Sequence, residues 1–238
     1  MSKMTQQNLI LDGIKEIFQD NTVISISGKS GTGKTSLALY LVGSYLTSVI
    51  PHNESCVWVQ ASEPFPKKRL KTMFRDINLK YLINNIFINP GNGPFTSYQQ
   101  QLEKLARFTN NTFLLPPDLK FIVIDNISHH LRFKISQVSD MEQRSYLINR
   151  FYDMVLNPLI LRCQRESINL VLIHEVSFDV KAQRTRPFFS KLYNRIRGVN
   201  ITLLRSFISS QRTIELAYGD RKLIFNFVLA NNGFIFSK

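Results

Sequence analysis

One segment of the sequence carries residues at the spacing needed to bind a phosphate group. It reads SISGKSGTGKTSLALYL over residues 25–41, with Gly28, four further residues and then Gly33, Lys34 and Thr35. Glycines at these positions let the backbone curl, so that successive N–H groups point at one anion. A lysine and a hydroxyl residue directly after the second glycine suit phosphate oxygens and Mg²⁺, respectively. The segment therefore predicts a nucleotide-binding loop.

The role of each residue in this loop follows from its type. We expect Lys34 to reach the β- and γ-phosphates of ATP and the Thr35 hydroxyl to ligate Mg²⁺. The apolar run TVISIS precedes the loop, and LALYLVGSYL follows it with the pattern of a buried helix. This strand–loop–helix order is what the chemistry requires and disfavours the alternative of an ordinary glycine-rich turn. The residues predicted to contact the nucleotide are Gly28, Lys29, Ser30, Gly31, Thr32, Gly33, Lys34, Thr35 and Ser36.

A second candidate metal ligand ends another apolar run. Asp125 follows four apolar residues, 121–124, in the segment KFIVID. An acid at the C-terminal end of a parallel strand lies at the sheet edge where ligands bind. We therefore predict that Asp125, on a strand next to the loop strand, shares Mg²⁺ with Thr35. The alternative is an aspartate that caps a helix or forms a turn.

The elements that must position these residues alternate between strands and helices up to about residue 200. VWVQ and NLVLIH are further apolar runs, KKRLKTMFRDI (67–77) is typical of a basic amphipathic helix, and a long helix over about 140–166 should break near Pro158. Continuously apolar strands alternating with helices predict an α/β fold, with a mainly parallel sheet covered on both faces. Four strand-like runs with only turns between them then follow and should close the sheet as antiparallel strands.

We expect one domain over residues 1–238. It would consist of a short lead-in at 1–20, an α/β core at 21–200 and antiparallel strands at 201–238. The apolar fraction of 44% is ample for one buried core. Cys56 and Cys163 match no metal spacing and are expected to be core thiols in a reducing compartment.

The charge balance limits the partners that suit this chain. Thirty Lys and Arg residues stand against 17 Asp and Glu residues, which gives a net charge of +13. Such an excess favours a polyanionic partner, nucleic acid above all. The first 20 residues mix charged and apolar positions, unlike a signal peptide, and no apolar run is long enough to cross a bilayer. We therefore expect a cytoplasmic protein that associates with nucleic acid and has no membrane partner.

Taken in order, these segments resemble the ATPase core of the RecA/RadA recombinase superfamily, and most closely its short RadB-like members. The loop segment, VWVQASEPFPKKRL, IVIDNISHHLRF and LVLIHEVSFD resemble the family's characteristic segments, so the resemblance covers nearly the whole chain. It implies a P-loop, RecA-like core that binds ATP with Mg²⁺. It also implies DNA binding, a role in recombinational DNA repair, and a recombinase or another repair protein as a further partner.

Two departures from the family's pattern bear on hydrolysis. The family's water-activating Glu is matched here by Ser62, and Glu63 comes one residue later, which in a strand would turn its side chain to the opposite face. The family's Asn-Gln pair is replaced by His174 and Glu175, and an ionised glutamate cannot donate a hydrogen bond. Glu63 and Glu175 are the candidate catalytic residues, while His174 is interpreted as a hydrogen-bonded sheet residue. We therefore expect ATP binding with slow or regulated, DNA-stimulated hydrolysis.

The resemblance also indicates two DNA-contacting loops. The first matches residues 133–144, and the second begins just after His174, where residues 181–213 hold eight cations and no acid. Cations neutralise phosphates and exposed aromatic rings stack on unpaired bases, which favours single-stranded DNA. A solvated basic face is the alternative for the cations, whereas Phe188 and Phe189 are expected in the core, because paired Phe residues beside a strand usually pack. The candidate DNA contacts are Arg132, Lys134, Arg144, Lys181, Arg184 and Arg186.

A second function stays open beside the DNA-binding ATPase. A P-loop module that binds ATP without hydrolysing it could regulate a partner protein through an ATP-dependent surface. A small-molecule kinase and an AAA+ ATPase are disfavoured, because closing β-strands stand where those classes need a lid.

Overall fold

The computed structural model describes residues 22–48, 53–179, 184–188, 190, 195–205, 212–231 and 233–237. The strands are β1 Val23–Gly28, β2 Ser55–Gln60, β3 Ile86–Asn89, β4 Leu119–Asp125, β5 Asn169–His174, β6 Val176–Asp179, β7 Arg184–Pro187, β8 Val199–Arg205, β9 Arg212–Tyr218, β10 Arg221–Ala230 and β11 Gly233–Ser237. The helices are α1 Lys34–Ser48, α2 Lys67–Met73, α3 Asp76–Asn85, α4 Tyr98–Thr109, α5 His129–Ser136, α6 Met141–Phe151 and α7 Asn157–Arg165.

Nine of these strands form one sheet in the order β11-β10-β9-β8-β1-β5-β4-β2-β3. From β8 to β3 the neighbouring strands run parallel, whereas β9, β10 and β11 are joined to β8 in antiparallel fashion. The two other strands, β6 and β7, pair with each other as a separate antiparallel hairpin. This architecture confirms the predicted fold class, a mainly parallel sheet closed by C-terminal antiparallel strands.

Helices cover both faces of the parallel part of the sheet. One apolar cluster packs α1 to α3 against residues such as Ile24, Ile26 and Phe121, and it extends onto the C-terminal strands. A second cluster packs α4 to α7 against the opposite face. Burial on both faces explains why the central strands are apolar throughout. Cys56 and Cys163 are fully buried in these two clusters, and burial raises the pKa of the Cys163 thiol to about 12.

The basic segment 67–77 forms two helices rather than the single helix that its pattern predicts. The first helix, α2, ends at Met73, and Phe74 adopts an extended conformation before α3 begins at Asp76. Phe74 is buried against Gly43 of α1, where a Cβ atom would lie 2.5 Å from the phenyl ring. The break therefore follows from a long-range contact that needs a glycine on another helix.

The predicted long helix is confirmed with its irregularity close to Pro158. Residues 141–165 are helical throughout, but the turn Tyr152–Leu156 is a π-helix between α6 and α7. Proline cannot donate to the carbonyl four residues earlier and its ring crowds the preceding turn, which accounts for the wider turn just before it. None of the helices that the structure describes has the length and apolar character needed to cross a bilayer.

Candidate nucleotide-binding site

The loop between β1 and α1 is shaped by two glycines whose positions exclude side chains. At Gly28, a Cβ atom would lie 2.7 Å from both the carbonyl oxygen of Leu203 and the hydroxyl of Thr32. Gly33 has a φ of +100°, and a Cβ atom there would lie 3.0 Å from Leu229. The loop is thus held tightly between the end of β1 and the N-terminus of α1, where backbone N–H groups favour anions.

The two candidate Mg²⁺ ligands, Thr35 and Asp125, contact each other at the carboxyl edge of the sheet. The Thr35 hydroxyl donates to Asp125 Oδ2 at 2.8 Å. The expectation that Asp125 lies on a strand next to the loop strand is wrong, because β5 separates β4 from β1. The side chain still meets Thr35, because Asp125 is the last residue of β4 and Thr35 lies in the first turn of α1, directly after the loop.

The environment of Asp125 differs from that of an ordinary surface carboxylate. Burial raises the pKa of Asp125 to about 6, and the hydrogen bond from Thr35 limits the rise. A hydroxyl beside a carboxylate is a donor set that suits Mg²⁺, which binds one or two protein oxygens and fills its other positions with water and phosphate oxygens. The residues present therefore fit the metal that the sequence implies.

Lys34 lies between the loop and the carboxylates of the site. Its ammonium donates to the backbone carbonyl of Gly28 at 2.9 Å. Burial lowers the pKa of Lys34, and the nearby charges of Asp125, Glu175 and Glu63 oppose that effect. Carboxylates from three different segments of the chain therefore act electrostatically on the ammonium.

These groups line one open pocket of about 490 Å³. Every loop residue predicted to contact the nucleotide lines it except Thr32, which is buried behind the loop with its hydroxyl donating to the Lys29 carbonyl at 2.8 Å. The full lining consists of Gly28, Lys29, Ser30, Gly31, Gly33, Lys34, Thr35, Ser36, Ser62, Glu63, Asp125, Asn126, Arg132, Glu175 and Val176.

We call Glu63, Arg132 and Glu175 the opposite wall of this pocket. Glu63 is exposed and lies beyond the end of β2 at Gln60. The N–H groups of Ala61 and Ser62 both donate to the carbonyl oxygen of Asp125, at 2.6 and 3.1 Å. The chain therefore leaves the strand before Glu63, so the alternation of strand faces does not decide where this carboxylate points.

Glu175 belongs to a small charged cluster. Its carboxylate forms an ion pair with Arg132 and lies 3.3 Å from His129 Nδ1. Burial alone would raise the pKa of Glu175, but the hydrogen bonds from Arg132 and His129 outweigh it and hold the pKa below its usual value. The preceding residue, His174, is fully buried, and burial lowers its pKa to about 3, so the imidazole is neutral.

Polar residues after β4 hold these segments together, and sequence reasoning missed them. The Ser128 hydroxyl donates to Asn126 Oδ1 at 2.8 Å and accepts the N–H of Glu175 at 3.1 Å. His130 is buried and its Nε2 bonds to the carbonyl of Ala61 at 2.9 Å. The available signal was the run of polar residues directly after an apolar strand, in NISHH.

The candidate DNA contacts on α5 and α6 occupy three different environments. Arg132 lines the nucleotide pocket. Lys134 is exposed on α5. Arg144 is partly buried, and its Nε donates to the Val138 carbonyl at 2.6 Å, which ties α6 to the turn before it.

The remaining candidates belong to the segment around the β6–β7 hairpin. Arg186 is partly buried in β7, opposite Ser177. Arg184 also lies in β7, with a side chain outside the described part of the structure. Lys181 and Phe189 fall outside the described residues. Phe188 is partly exposed, with the Arg132 guanidinium 5.0 Å from the centre of its ring, rather than in the core.

Among the described residues, no group of three or more His, Cys, Asp or Glu side chains is arranged to hold a metal ion.

The sheet and its loop define an α/β P-loop fold of the RecA type.

One solved structure with this fold is the crystal structure of the RadB recombinase. The two folds match with a TM-score of 0.66 at 20% sequence identity, over 90% of this chain and 89% of that chain. The likeness confirms the RecA-like fold that the sequence predicts, and this fold is similar to that of RadB. No protein-family model matches the sequence, and no curated protein matches it.

Proposed function

We propose that this protein is a RecA-type recombination protein that binds ATP and DNA, assists recombinational repair, and hydrolyses ATP slowly or under regulation. The observation that carries the proposal is the 2.8 Å contact between Thr35 and Asp125 beside the phosphate-type loop. The loop would hold the phosphates, with Lys34 on the β- and γ-phosphates and Thr35 and Asp125 as ligands of Mg²⁺. Bound Mg²⁺ would neutralise negative charge on the phosphate oxygens.

The opposite wall supports slow rather than fast hydrolysis. A general base must reach the proton that it abstracts, directly or through one water molecule. Glu63 lines the pocket but is exposed beyond the end of β2. Glu175 is engaged with Arg132 and His129, so its carboxylate is already bound by two donors.

The basic composition of the chain and two exposed residues of α5 support binding to DNA. The chain carries a net charge of +13. Lys134 and the preceding Phe133 are both exposed on α5, Phe133 by 63%, so this helix presents a cation and a ring that can stack on a base. This pairing supports a preference for single-stranded DNA.

Steady-state ATP turnover, measured with and without single-stranded DNA, tests the proposal. We expect slow turnover that rises on addition of DNA and disappears in Lys34→Ala. Turnover that persists in Lys34→Ala would point to a contaminating ATPase and leave the proposal without support.

The engaged state of Glu175 also favours a second function, a P-loop module that binds ATP without hydrolysing it and regulates a partner protein. Tight ATP binding with no turnover, in the presence or absence of DNA, would select this function over the first.

A further inference from the structure

Three carboxylates line the pocket beside the loop that would hold the phosphates of a nucleoside triphosphate. Asp125, Glu175 and Glu63 line the same pocket as Lys34, and their charges act on its ammonium. Carboxylates this close to a phosphate repel it unless cations stand between them. Mg²⁺ would neutralise the negative charge of Asp125. The negative charges of Glu63 and Glu175 must then be neutralised by other groups.

Arg132 is the cation that meets this negative charge from across the pocket. In the part of the chain that the structure describes, the basic residues lining the pocket are Lys29, Lys34 and Arg132, and the first two belong to the loop itself. The Arg132 guanidinium pairs with Glu175 and is 50% exposed. It also lies 5.0 Å from the centre of the Phe188 ring.

Counted against the residues that the structure describes, the Arg132 guanidinium has N–H donors left for another anion. An arginine side chain carries five N–H donors. Within the described residues, its hydrogen bond goes to Glu175 Oε2 through Nη1. The ion pair with Glu175 and the Phe188 ring keep the half-exposed guanidinium at the pocket, so a small movement of the side chain would bring it to a bound phosphate.

We propose that Arg132 binds the terminal phosphate of a bound nucleoside triphosphate and that Glu175 is a positioning residue that orients it. This inference rests on the nucleotide binding proposed above. It assigns Arg132 to triphosphate recognition rather than to DNA. It also accounts for a glutamate beside a phosphate site, because the guanidinium neutralises the carboxylate and bridges it to the anion.

The test compares a non-hydrolysable ATP analogue with ADP by titration calorimetry, both with Mg²⁺. Arg132→Gln should lose about tenfold in affinity for the analogue, the value of one charge-assisted hydrogen bond, and keep its affinity for ADP. Arg132→Lys, which keeps the charge but not the planar fork, should fall between wild type and Arg132→Gln. Arg132→Gln combined with Glu175→Gln should regain part of the loss, because the unshielded carboxylate is removed.

The possible failures can be told apart. Equal losses for ADP and the analogue, or no loss for either, would overturn the role of Arg132. The role of Arg132 would also be overturned if Arg132→Gln bound DNA more weakly in the absence of nucleotide while the variant kept its preference for the analogue over ADP. If the wild-type protein bound neither nucleotide, the proposed function itself would fail. Thermal unfolding of each variant without nucleotide checks the fold, and Arg132→Lys serves if Arg132→Gln does not fold.

Discussion

The two walls of the nucleotide pocket are built in different ways. The loop wall, Gly28–Ser36 with Asp125, is fixed by close backbone approach, a helix N-terminus and the partly buried hydrogen bond between Thr35 and Asp125. The opposite wall consists of Glu63, Arg132 and Glu175, which are exposed or partly exposed charges on separate segments. A wall set by packing has one available geometry, whereas a wall set by exposed ion pairs can rearrange at small cost.

This difference separates binding from hydrolysis. The loop wall offers the groups that would hold a triphosphate and its metal. The opposite wall would have to position and activate water, and there the chain carries Ser62 and Glu175 where the resemblance leads one to expect a glutamate and a glutamine. Changes to the loop wall should therefore affect whether nucleotide binds, and changes to the opposite wall should affect which nucleotide binds and what happens to it.

Among the variants that test the difference between the two walls, Lys34→Ala is expected to have the largest effect on nucleotide binding. Removing the loop ammonium should lower the affinity for an ATP analogue on the order of a hundredfold, because at least two charge-assisted hydrogen bonds to phosphate oxygens are lost. Titration calorimetry measures the change, and Lys80→Ala, an exposed lysine on α3, is the matched control. Affinity within a few-fold of wild type would show that the loop wall does not bind the phosphates.

A pair of glycine variants tests how rigidly the loop wall is fixed. Gly28→Ala should lower the free energy of unfolding by about 3 kcal/mol, because its Cβ atom would lie 2.7 Å from a backbone oxygen of β8. Gly31→Ala has open space around its Cβ atom and a φ of +73°, so it should cost about 1 kcal/mol. Urea denaturation gives both values, and equal values would contradict the close packing of Gly28 against β8.

The sequence predicted the loop wall better than the opposite wall, for a physical reason. The loop residues are contiguous, and Asp125 is marked by the apolar strand that it ends. Arg132 and Glu175 are 43 positions apart, and their pairing depends on how α5 and the start of the β6–β7 hairpin meet in space. The break between α2 and α3 was missed for a similar reason, because it depends on Gly43 of another helix.

The titration of Asp125 gives a pH-dependent prediction for the metal-free, nucleotide-free protein. The pKa of Asp125 is raised from 3.8 to about 6, so the folded state binds more protons than the unfolded state between these values. The contribution of Asp125 to stability therefore falls as pH rises from about 4 to 6 and stays low above that. Asp125→Asn should be more stable than wild type by about 2 kcal/mol at pH 7.5 in EDTA, and equally stable near pH 4.

Urea denaturation at the two pH values checks this prediction. A difference between Asp125→Asn and wild type that is the same at both pH values would show that Asp125 titrates as an ordinary exposed carboxylate.

The smallest effect is expected on DNA binding, from changes to the basic segment that comes after Glu175 in the sequence. Changing Lys181, Arg184 and Arg186 together to Ala should weaken binding to single-stranded DNA about fivefold at moderate salt and flatten the slope of log affinity against log salt concentration. The matched control changes three exposed lysines of α2, Lys67, Lys68 and Lys71, to Ala. Equal effects of the two triple variants would indicate a general charge effect rather than a local interface.

The most direct test of the account is the Mg²⁺ dependence of binding to a non-hydrolysable ATP analogue at pH 7.5. The account predicts that Mg²⁺ strengthens binding to the wild-type protein at least about tenfold and does so much less in Asp125→Asn, because a metal ligand has been removed. Failure of the wild-type protein to bind the analogue at millimolar concentration, or binding that Mg²⁺ leaves unchanged, would contradict it.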